Sequence, residues 1–313
     1  MSTDEALVEI SAAPAATESA APSSARTVPR RIWTLAWRST GFRVGLVVFA
    51  VLLTAALVYP EVSAIDPTKM MVRDKFLPPV LFGEKWSWAH PLGTDQLGRD
   101  MLLRSLVGLR YSLLIGVPTV ALMFVVGCGL GLVSGFKGGL VDTAIMRLTD
   151  AQLSIPMIIL AIAILGVSRP SVGSIVLVLG LSGWPLYARV ARSVTQAERK
   201  KEFVRGARVL GASDWRIMVI LIAPNVLPPI AFVAVLDIAR MMIFEAILGF
   251  LGLGVQPPTP SFGNIIADAR KYLINAWWIA TSPGLFLVLT LTSINLMGAA
   301  LEQARNRVYL GED

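Results

Sequence analysis

The sequence contains very little cysteine, histidine or charge, and each shortage excludes a class of protein. Its 313 residues include one cysteine, Cys128, and one histidine, His90. These cannot build a disulfide framework, a multi-thiol zinc site or a metal centre held by several histidines. Charged residues make up only 16% of the chain, which is too few to cover a soluble domain of this size. The composition therefore excludes an ordinary soluble fold and most metal-dependent enzymes.

Apolar residues are abundant instead. They account for 55% of the chain, and the mean hydropathy is +0.66. The net charge is +7, but the 28 Lys and Arg residues are concentrated in the polar breaks between apolar runs. Cations in that position set the orientation of a membrane protein, so the charge does not indicate nucleic acid binding. The sequence predicts an all-α integral membrane protein.

Six apolar segments are long enough to be membrane spans, each of which needs about 20 residues when helical. The longest run, 217–255, contains Pro224, Pro228 and Pro229. Because proline removes a backbone donor and stops an incoming helix, we divide this run into a surface helix followed by a span. The six predicted spans are 44–59, 112–134, 144–167, 172–187, 226–250 and 280–301.

Charge in the loops predicts the orientation. The break between the fourth and fifth spans carries eight Lys and Arg residues between positions 189 and 216. The positive-inside tendency places this break in the cytoplasm, and the number of spans then places both termini there. The predicted organisation is a disordered cytosolic tail (1–27), an interfacial segment with the first span (28–60), an extracytoplasmic loop (61–110), a core of five spans (111–303) and a cytosolic C-terminus (304–313).

The cytosolic segment 192–217 carries a compact pattern. Phe203, Ala207 and Leu210 recur at helical spacing, which predicts a short amphipathic helix. Gly211 permits a left-handed stop, and Ser213 or Asp214 can cap a second helix. A helix, glycine turn and second helix favour docking into a groove on a soluble partner. The alternative is an interfacial helix that rests on lipid headgroups.

This segment resembles the EAA loop of permease subunits of binding-protein-dependent ABC importers. The resemblance is carried by Arg205-Gly206-Ala207, Gly211 and the sequence LIAP at 221–224. Many members have Glu, Ala and Leu where this chain has Arg205, Gly206 and Ala223. Three longer motifs narrow the resemblance to the C-type subunit of dipeptide, oligopeptide and nickel permeases. They are HPLGTDQLGRD at 90–100, GLRYSLLIG at 108–116 and LGFLGLGVQPPTPSFG at 248–263.

The resemblance implies the type I ABC importer permease fold and a multi-pass protein of the bacterial inner membrane. It implies a peptide transport function in which this subunit has no ATPase site, and the sequence contains no G-x-x-x-x-G-K-[ST] motif. It also implies a homologous second permease subunit, two cytosolic ATPases that bind ATP and Mg, and an extracytoplasmic solute-binding protein. No metal, cofactor or catalytic residue is expected on this chain. The residues expected to couple to the ATPases are Arg205, Gly206, Ala207, Arg208, Gly211, Ala212, Ser213 and Asp214.

Small and ionisable residues inside the spans are further candidates. Gly127, Gly131 and Gly135 form a double G-x-x-x-G ridge, which favours close packing against another helix. Asp237 and Arg240 are three residues apart on one helix face and can pair. Arg147 and Asp150 have the same spacing.

Glu245 has no cation within one helical turn. An ionisable group in a span needs water or a polar partner. Glu245 therefore either lines a wet translocation pathway, together with Asp237 and Arg240, or pins a neighbouring helix.

The predicted outer loops supply the remaining candidates. Asp95, Arg99 and Asp100 either contact the binding protein or form intraloop ion pairs and helix caps. Gln256 begins a stiff proline-rich stretch that either forms part of an outer gate or turns the chain.

Another class of transporter is the main alternative. A secondary transporter or channel usually has inverted repeats or rings of charge, and the sequence has no internal repeat. Within the importer family, a nickel complex, glutathione, an opine or an oligosaccharide could replace the peptide.

Overall fold

Long apolar helices form the protein in the computed structural model, which describes residues 28–63, 65–83, 85–168 and 170–310. The predicted tail, 1–27, lies outside the described residues. The helices are α1 (Val28–Arg38), α2 (Thr40–Val62), α3 (Met101–Lys137), α4 (Gly139–Leu153), α5 (Met157–Val167), α6 (Val172–Glu198), α7 (Glu202–Val209), α8 (Asp214–Arg216), α9 (Ala223–Phe250), α10 (Phe262–Ala269) and α11 (Trp278–Leu310).

The predicted number of spans is confirmed when one broken helix is counted as a span. Five helices are long and apolar enough to cross a membrane, and α4 and α5 together supply a sixth. The span predicted at 144–167 is not one continuous helix, because the axis bends by 79° between α4 and α5. Pro156 stands directly before α5 and cannot donate a backbone hydrogen bond to the preceding turn, so the helix breaks there.

The predicted division of the run 217–255 into a surface helix and a separate span is wrong. The helix continues from Asp214 to Phe250 over 37 residues. A π-helical turn, Ile217–Ile222, precedes Pro224, and the Ala223 amide donates to the Met218 carbonyl five residues earlier. The Asn225 side-chain amide donates to the Leu221 carbonyl at 2.9 Å. The wider turn accommodates the missing proline donor, so the helix does not stop at Pro224.

The loop after the first span is shorter than predicted. Helix α2 continues through Pro60 to Val62, and α3 begins at Met101, so the connection is 63–100 rather than 61–110. The Asp100 carboxylate caps α3 by accepting a hydrogen bond from the Leu103 amide at 2.7 Å. Arg104 and Ser105 look like loop residues in sequence, but both are buried in the first turns of α3.

Helices α3 and α6 lie parallel and in close contact. Gly127 lies against Trp184 and Tyr187, and Gly135 lies against Arg192 and Thr195. A Cβ atom on Gly131 would lie 2.4 Å from the Ala188 carbonyl oxygen. The backbones therefore approach as closely as a small-residue ridge allows. Because parallel neighbours need a return crossing between them, α4 and α5 must carry the chain back across the bundle.

The bundle has two ends, which we name by what they carry. The loop end carries residues 65–100, and Trp278 at the start of α11 donates to the Thr94 carbonyl there at 3.0 Å. The α7 end is the opposite one, where α3 and α6 finish side by side. Helix α1 packs on the last part of α11 through Ile32 and Ala36, so it also lies at the α7 end.

We expect Gly131→Ala to lower the free energy of unfolding by about 1–3 kcal/mol, because the new methyl group would overlap the α6 backbone. Gly129→Ala is the matched control, since nothing lies within 4 Å of its Cβ position. It should leave stability unchanged or raise it by about 0.5–1 kcal/mol through helix propensity. Thermal unfolding of the purified protein in mild detergent measures both. Equal effects at the two positions would contradict the packing described here.

Candidate functional site

The α7 segment, which we define as residues 199–216, projects from the α7 end of the bundle. It consists of α7, a turn at Gly211 and the short helix α8. Gly211 has φ of +80°, the left-handed conformation that glycine adopts without strain. The Ala212 amide donates to the Ala207 carbonyl at 3.0 Å. The Ser213 hydroxyl caps α8 by accepting from the Arg216 amide. The predicted helix, glycine turn and helix are present in the structure.

One face of the α7 segment is anchored in the main core. Val204 is almost completely buried there, and Ala207 and Ala212 pack against the same core. The short segment is therefore held against the bundle by apolar contact, so its position depends on where the core helices lie.

Four large apolar side chains of the α7 segment are exposed. We call Phe203, Val209, Leu210 and Trp215 the exposed patch; their exposed fractions are 41%, 87%, 88% and 70%. The predicted stripe included Phe203 and Leu210 but not the other two. Val209 lies outside the helical spacing of that stripe, and Trp215 lies beyond the turn.

The α7 segment that carries the exposed patch also carries several cations. The Arg205 guanidinium donates to the Lys200 carbonyl at 3.2 Å. Arg208 and Asp214 face each other across the turn at 3.9 Å, and both are exposed. An exposed pair at this separation contributes little to stability, so both side chains remain available to a partner. Gly206 has nothing within 4 Å of its Cβ position and makes no packing contact that requires glycine.

A partly buried ion pair joins the helices on which the α7 segment rests. Arg192 of α6 binds both carboxylate oxygens of Asp142, at 2.5 and 2.6 Å. The Ser134 hydroxyl of α3 donates to the same carboxylate at 2.5 Å. This contact joins the ends of α3, α4 and α6. The sequence did not predict this ion pair, because Asp142 and Arg192 are 50 residues apart.

The predicted pairing of Arg147 with Asp150 is wrong. Asp150 pairs with Arg189 of α6 at 2.5 Å. Three-residue spacing allows a pair along one helix, but α6 runs antiparallel beside α4 and offers a partner from a second helix.

Asp237 and Arg240 of α9 form the ion pair that their spacing predicts, at 2.9 Å. The second oxygen of the buried Asp237 carboxylate accepts a hydrogen bond from the Tyr187 hydroxyl of α6 at 2.6 Å. The Arg240 side chain is 43% exposed. This cluster therefore connects the α3–α6 pair to α9 and presents a cation at the surface of this chain. Tyr187 was not predicted, because nothing in its local sequence indicates which helix it faces.

Glu245 is completely buried. Its Oε2 atom accepts a hydrogen bond from the Ser112 hydroxyl of α3 at 2.6 Å. Its Oε1 atom has no hydrogen-bond partner among the described residues. Within this chain Glu245 thus contacts a neighbouring helix, and its role in a translocation pathway stays a prediction.

The loop candidates Asp95, Arg99 and Asp100 are all buried at the loop end. Asp95 accepts from the Arg99 guanidinium at 2.6 Å, and Arg99 also approaches Asp268 at 3.6 Å. Asp100 caps α3 and contacts the His90 ring at 2.9 Å. This geometry matches the alternative of intraloop ion pairs and a helix cap, because none of the three side chains points outward.

Gln256 is exposed in the connection between α9 and α10. Its amide donates to the carbonyls of Gly252 and Gly254 at 3.1 and 2.9 Å. The side chain therefore braces its own turn, and contact with a partner or a gate stays a prediction.

Among the residues that the structure describes, no three His, Cys, Asp or Glu side chains come together as a metal site. The candidate residues therefore lie at three levels: an exposed patch at one end, polar helix contacts in the middle and an ion-paired loop at the other end.

Comparison with known proteins agrees with that description. Residues 127–307 match the family of binding-protein-dependent transport system inner membrane components. The matched range begins on the glycine ridge of α3 and includes the α7 segment, α9 and most of α11.

Curated relatives match nearly the whole chain. The chain is 37% identical to the di/tripeptide transport system permease protein DppC of Pseudomonas aeruginosa over 88% of this chain and 90% of that protein. It is 39% identical to the dipeptide transport system permease protein DppC of Escherichia coli K12 over 88% of this chain and 91% of that protein. The fold is similar to a solved structure of the MetNI methionine ABC transporter in an inward-facing conformation. The TM-score is 0.52 at 19% identity, over 66% of this chain and 96% of that one.

We expect Ser112→Ala to lower the free energy of unfolding by about 1–3 kcal/mol, because the buried Glu245 carboxyl loses its hydrogen-bond donor. Ser105→Ala is the matched control. Ser105 is equally buried on α3, but its hydroxyl donates to the Met101 carbonyl of its own helix. Its replacement should cost less than about 1 kcal/mol. Thermal unfolding in detergent compares the two, and an equal loss would show that the Ser112–Glu245 bond does not join α3 to α9.

Proposed function

The chain belongs to the family of binding-protein-dependent transport system inner membrane components, and we propose that it is the permease subunit of an ATP-driven importer of dipeptides. It is an inner membrane protein with several membrane-spanning helices. Its relatives are permease subunits rather than enzymes. ATP and Mg would be bound by partner subunits.

The dipeptide substrate is supported by the names of the relatives. Proteins described as dipeptide or di/tripeptide permeases align with this chain at 34–39% identity over almost 90% of its length. In such a system the solute-binding protein would select the substrate. Nickel complexes, glutathione and oligosaccharides are the competing substrates within the same fold.

A single chain would form half of the pathway. The proposed assembly contains a homologous second permease subunit, two cytosolic ATPases and an extracytoplasmic solute-binding protein. The half-exposed Arg240, paired with the buried Asp237, supports a polar surface facing the second subunit or the pathway, since a guanidinium group exposed to lipid would be costly.

The exposed patch of the α7 segment is the observation that supports coupling to the ATPases. Four large exposed apolar side chains on a segment rich in cations are costly to leave in water and suit a groove on a soluble partner. The positive-inside tendency places this end of the bundle in the cytoplasm, where the ATPases would be.

The long helix that begins in the α7 segment would transmit the movement of the ATPases to the membrane core. Asp214–Phe250 is continuous, so it spans about 55 Å at 1.5 Å per residue. A displacement of the α7 segment would tilt this helix and change the contacts of Asp237 and Glu245 with α6 and α3. ATP-driven closure of the ATPases would thereby alternate the pathway between inward-open and outward-open states.

We expect the tagged chain, purified from its native membranes in mild detergent, to bring with it a second permease, two ATPases and a solute-binding protein. Reconstituted with these subunits in liposomes, it should accumulate a labelled dipeptide only when ATP is supplied. Excess glutathione, nickel complex or oligosaccharide should not compete for uptake. If the chain purifies alone and transports without ATP, the protein is a secondary carrier or channel instead.

We expect Leu210→Asp to reduce ATP-driven uptake by at least about tenfold, because the docked interface would contain an unpaired carboxylate. The melting temperature should not change, since the side chain is 88% exposed. Leu210→Met keeps an apolar side chain of similar volume and serves as the matched control, with uptake close to that of the original protein. Normal uptake by Leu210→Asp would exclude the exposed patch as the ATPase contact.

A further inference from the structure

A cavity lies between α1 and α11 at the α7 end of the bundle. Its volume is about 400 Å³. The residues that line it are Leu35, Arg38, Ser39, Ala300, Gln303, Ala304 and Arg307. It is separate from the α7 segment and from the polar contacts of α9, so the proposed transport mechanism gives it no role.

The charged residues that line the cavity favour binding of an anion. Arg38 and Arg307 line it from the two helices, and no acidic side chain lines it. Among the described residues neither guanidinium has an ion-pair or hydrogen-bond partner. Both arginines are exposed to solvent, and an anion in the cavity would be attracted by two cations at once. Guanidinium groups bind phosphate through paired N–H donors, and Ser39 and Gln303 add further donors.

The position of the cavity is at the level of the lipid headgroups. Helix α1 leads at Ser39 into α2, which is a membrane span. Its Trp33 and Trp37 rings stack at 6.1 Å and are about half exposed. Indole rings in such a position prefer the boundary between headgroups and acyl chains. The arginine cavity therefore lies beside the membrane interface, where phosphates are dense.

The walls also suit a lipid better than a free anion. Leu35, Ala300 and Ala304 supply apolar surface next to the two cations. A phospholipid would place its phosphate between the guanidinium groups and its glycerol and first methylene groups on these side chains. Inorganic phosphate would leave that surface without a partner.

We propose that the cavity between α1 and α11 binds the headgroup phosphate of an anionic phospholipid. The bound lipid bridges Arg38 and Arg307 and holds α1 against α11. Basic pockets between helices at the cytoplasmic side of a membrane are recognised as sites for anionic headgroups. The inference depends on the position of α1 in the membrane and does not depend on dipeptide transport.

The test is a lipid titration of the full chain, purified with whatever subunits accompany it and then delipidated. Native mass spectrometry counts the molecules of dioleoyl phosphatidylglycerol that stay bound. We expect one retained lipid, with binding about tenfold weaker or more in the double variant Arg38→Gln, Arg307→Gln. Arg43→Gln is the control, because Arg43 is exposed at the same end of α2 but does not line this cavity. Equal weakening by Arg43→Gln would overturn the proposal in favour of a diffuse interfacial charge.

Two further arms identify the source of the phosphate. Dioleoyl phosphatidylcholine should bind more weakly than phosphatidylglycerol, and millimolar inorganic phosphate should not displace the bound lipid. Equal binding of the zwitterionic lipid, or displacement by inorganic phosphate, would overturn the proposal.

A second pair of variants tests the proposal even if the double variant does not fold. Gln303 is an exposed residue that lines the cavity. Gln303→Glu should weaken retention of phosphatidylglycerol by repulsion, while Gln303→Lys should maintain or strengthen it. No difference between these two variants would show that the cavity does not hold the lipid.

Discussion

Close backbone contact between α3 and α6 is the constraint on which the rest of the structure depends. Lipid tails are as apolar as the helix surfaces, so helices gain little by burying leucine and gain more by packing closely. Gly127, Gly131 and Gly135 allow that approach, and a Cβ atom at any of them would overlap α6. The two helices are parallel, and this requires the return crossing through α4 and α5. An earlier part of α3 contacts α9, where Gly116 lies against Met242 and Ile238.

Polar contacts are distributed along this frame according to their surroundings. At the α7 end, the Asp142 and Arg192 pair joins three helices next to the segment that carries the exposed patch. In the middle, Tyr187 and Ser112 meet the carboxyl groups of α9, where an unpaired acid would be expensive. At the loop end, ion pairs and the Asp100 cap hold the connection 63–100 over the start of α3. Each polar group thus stabilises a contact between elements that apolar packing alone would leave loosely specified.

The long helix Asp214–Phe250 connects the α7 end of the bundle with the polar contacts in its middle. Its first turns belong to the α7 segment, and its later turns carry Asp237 and Glu245. The π-helical turn at Ile217–Ile222 makes this continuity compatible with Pro224. This continuous helix has one end at the exposed patch and the other in contact with α3, which is what the proposed coupling to a soluble partner requires. The arrangement agrees with the family to which the chain belongs, that of transport system inner membrane components.

The sequence by itself determined the membrane class, the number of crossings, the helix, glycine turn and helix of the α7 segment, and the family. Apolar run length, glycine spacing and capping residues are local signals, so one sequence was enough to interpret them. Only the tertiary structure decided which residues meet across the bundle. Glu245 and Ser112 are 133 residues apart in sequence, Asp150 takes Arg189 rather than Arg147, and Asp95, Arg99 and Asp100 lie inside rather than on the surface. The break at Pro156 and the continuation of the helix through Pro224 also depended on neighbouring turns and helices. Proline removes one donor in both places, and the surrounding structure decides whether that loss breaks a helix.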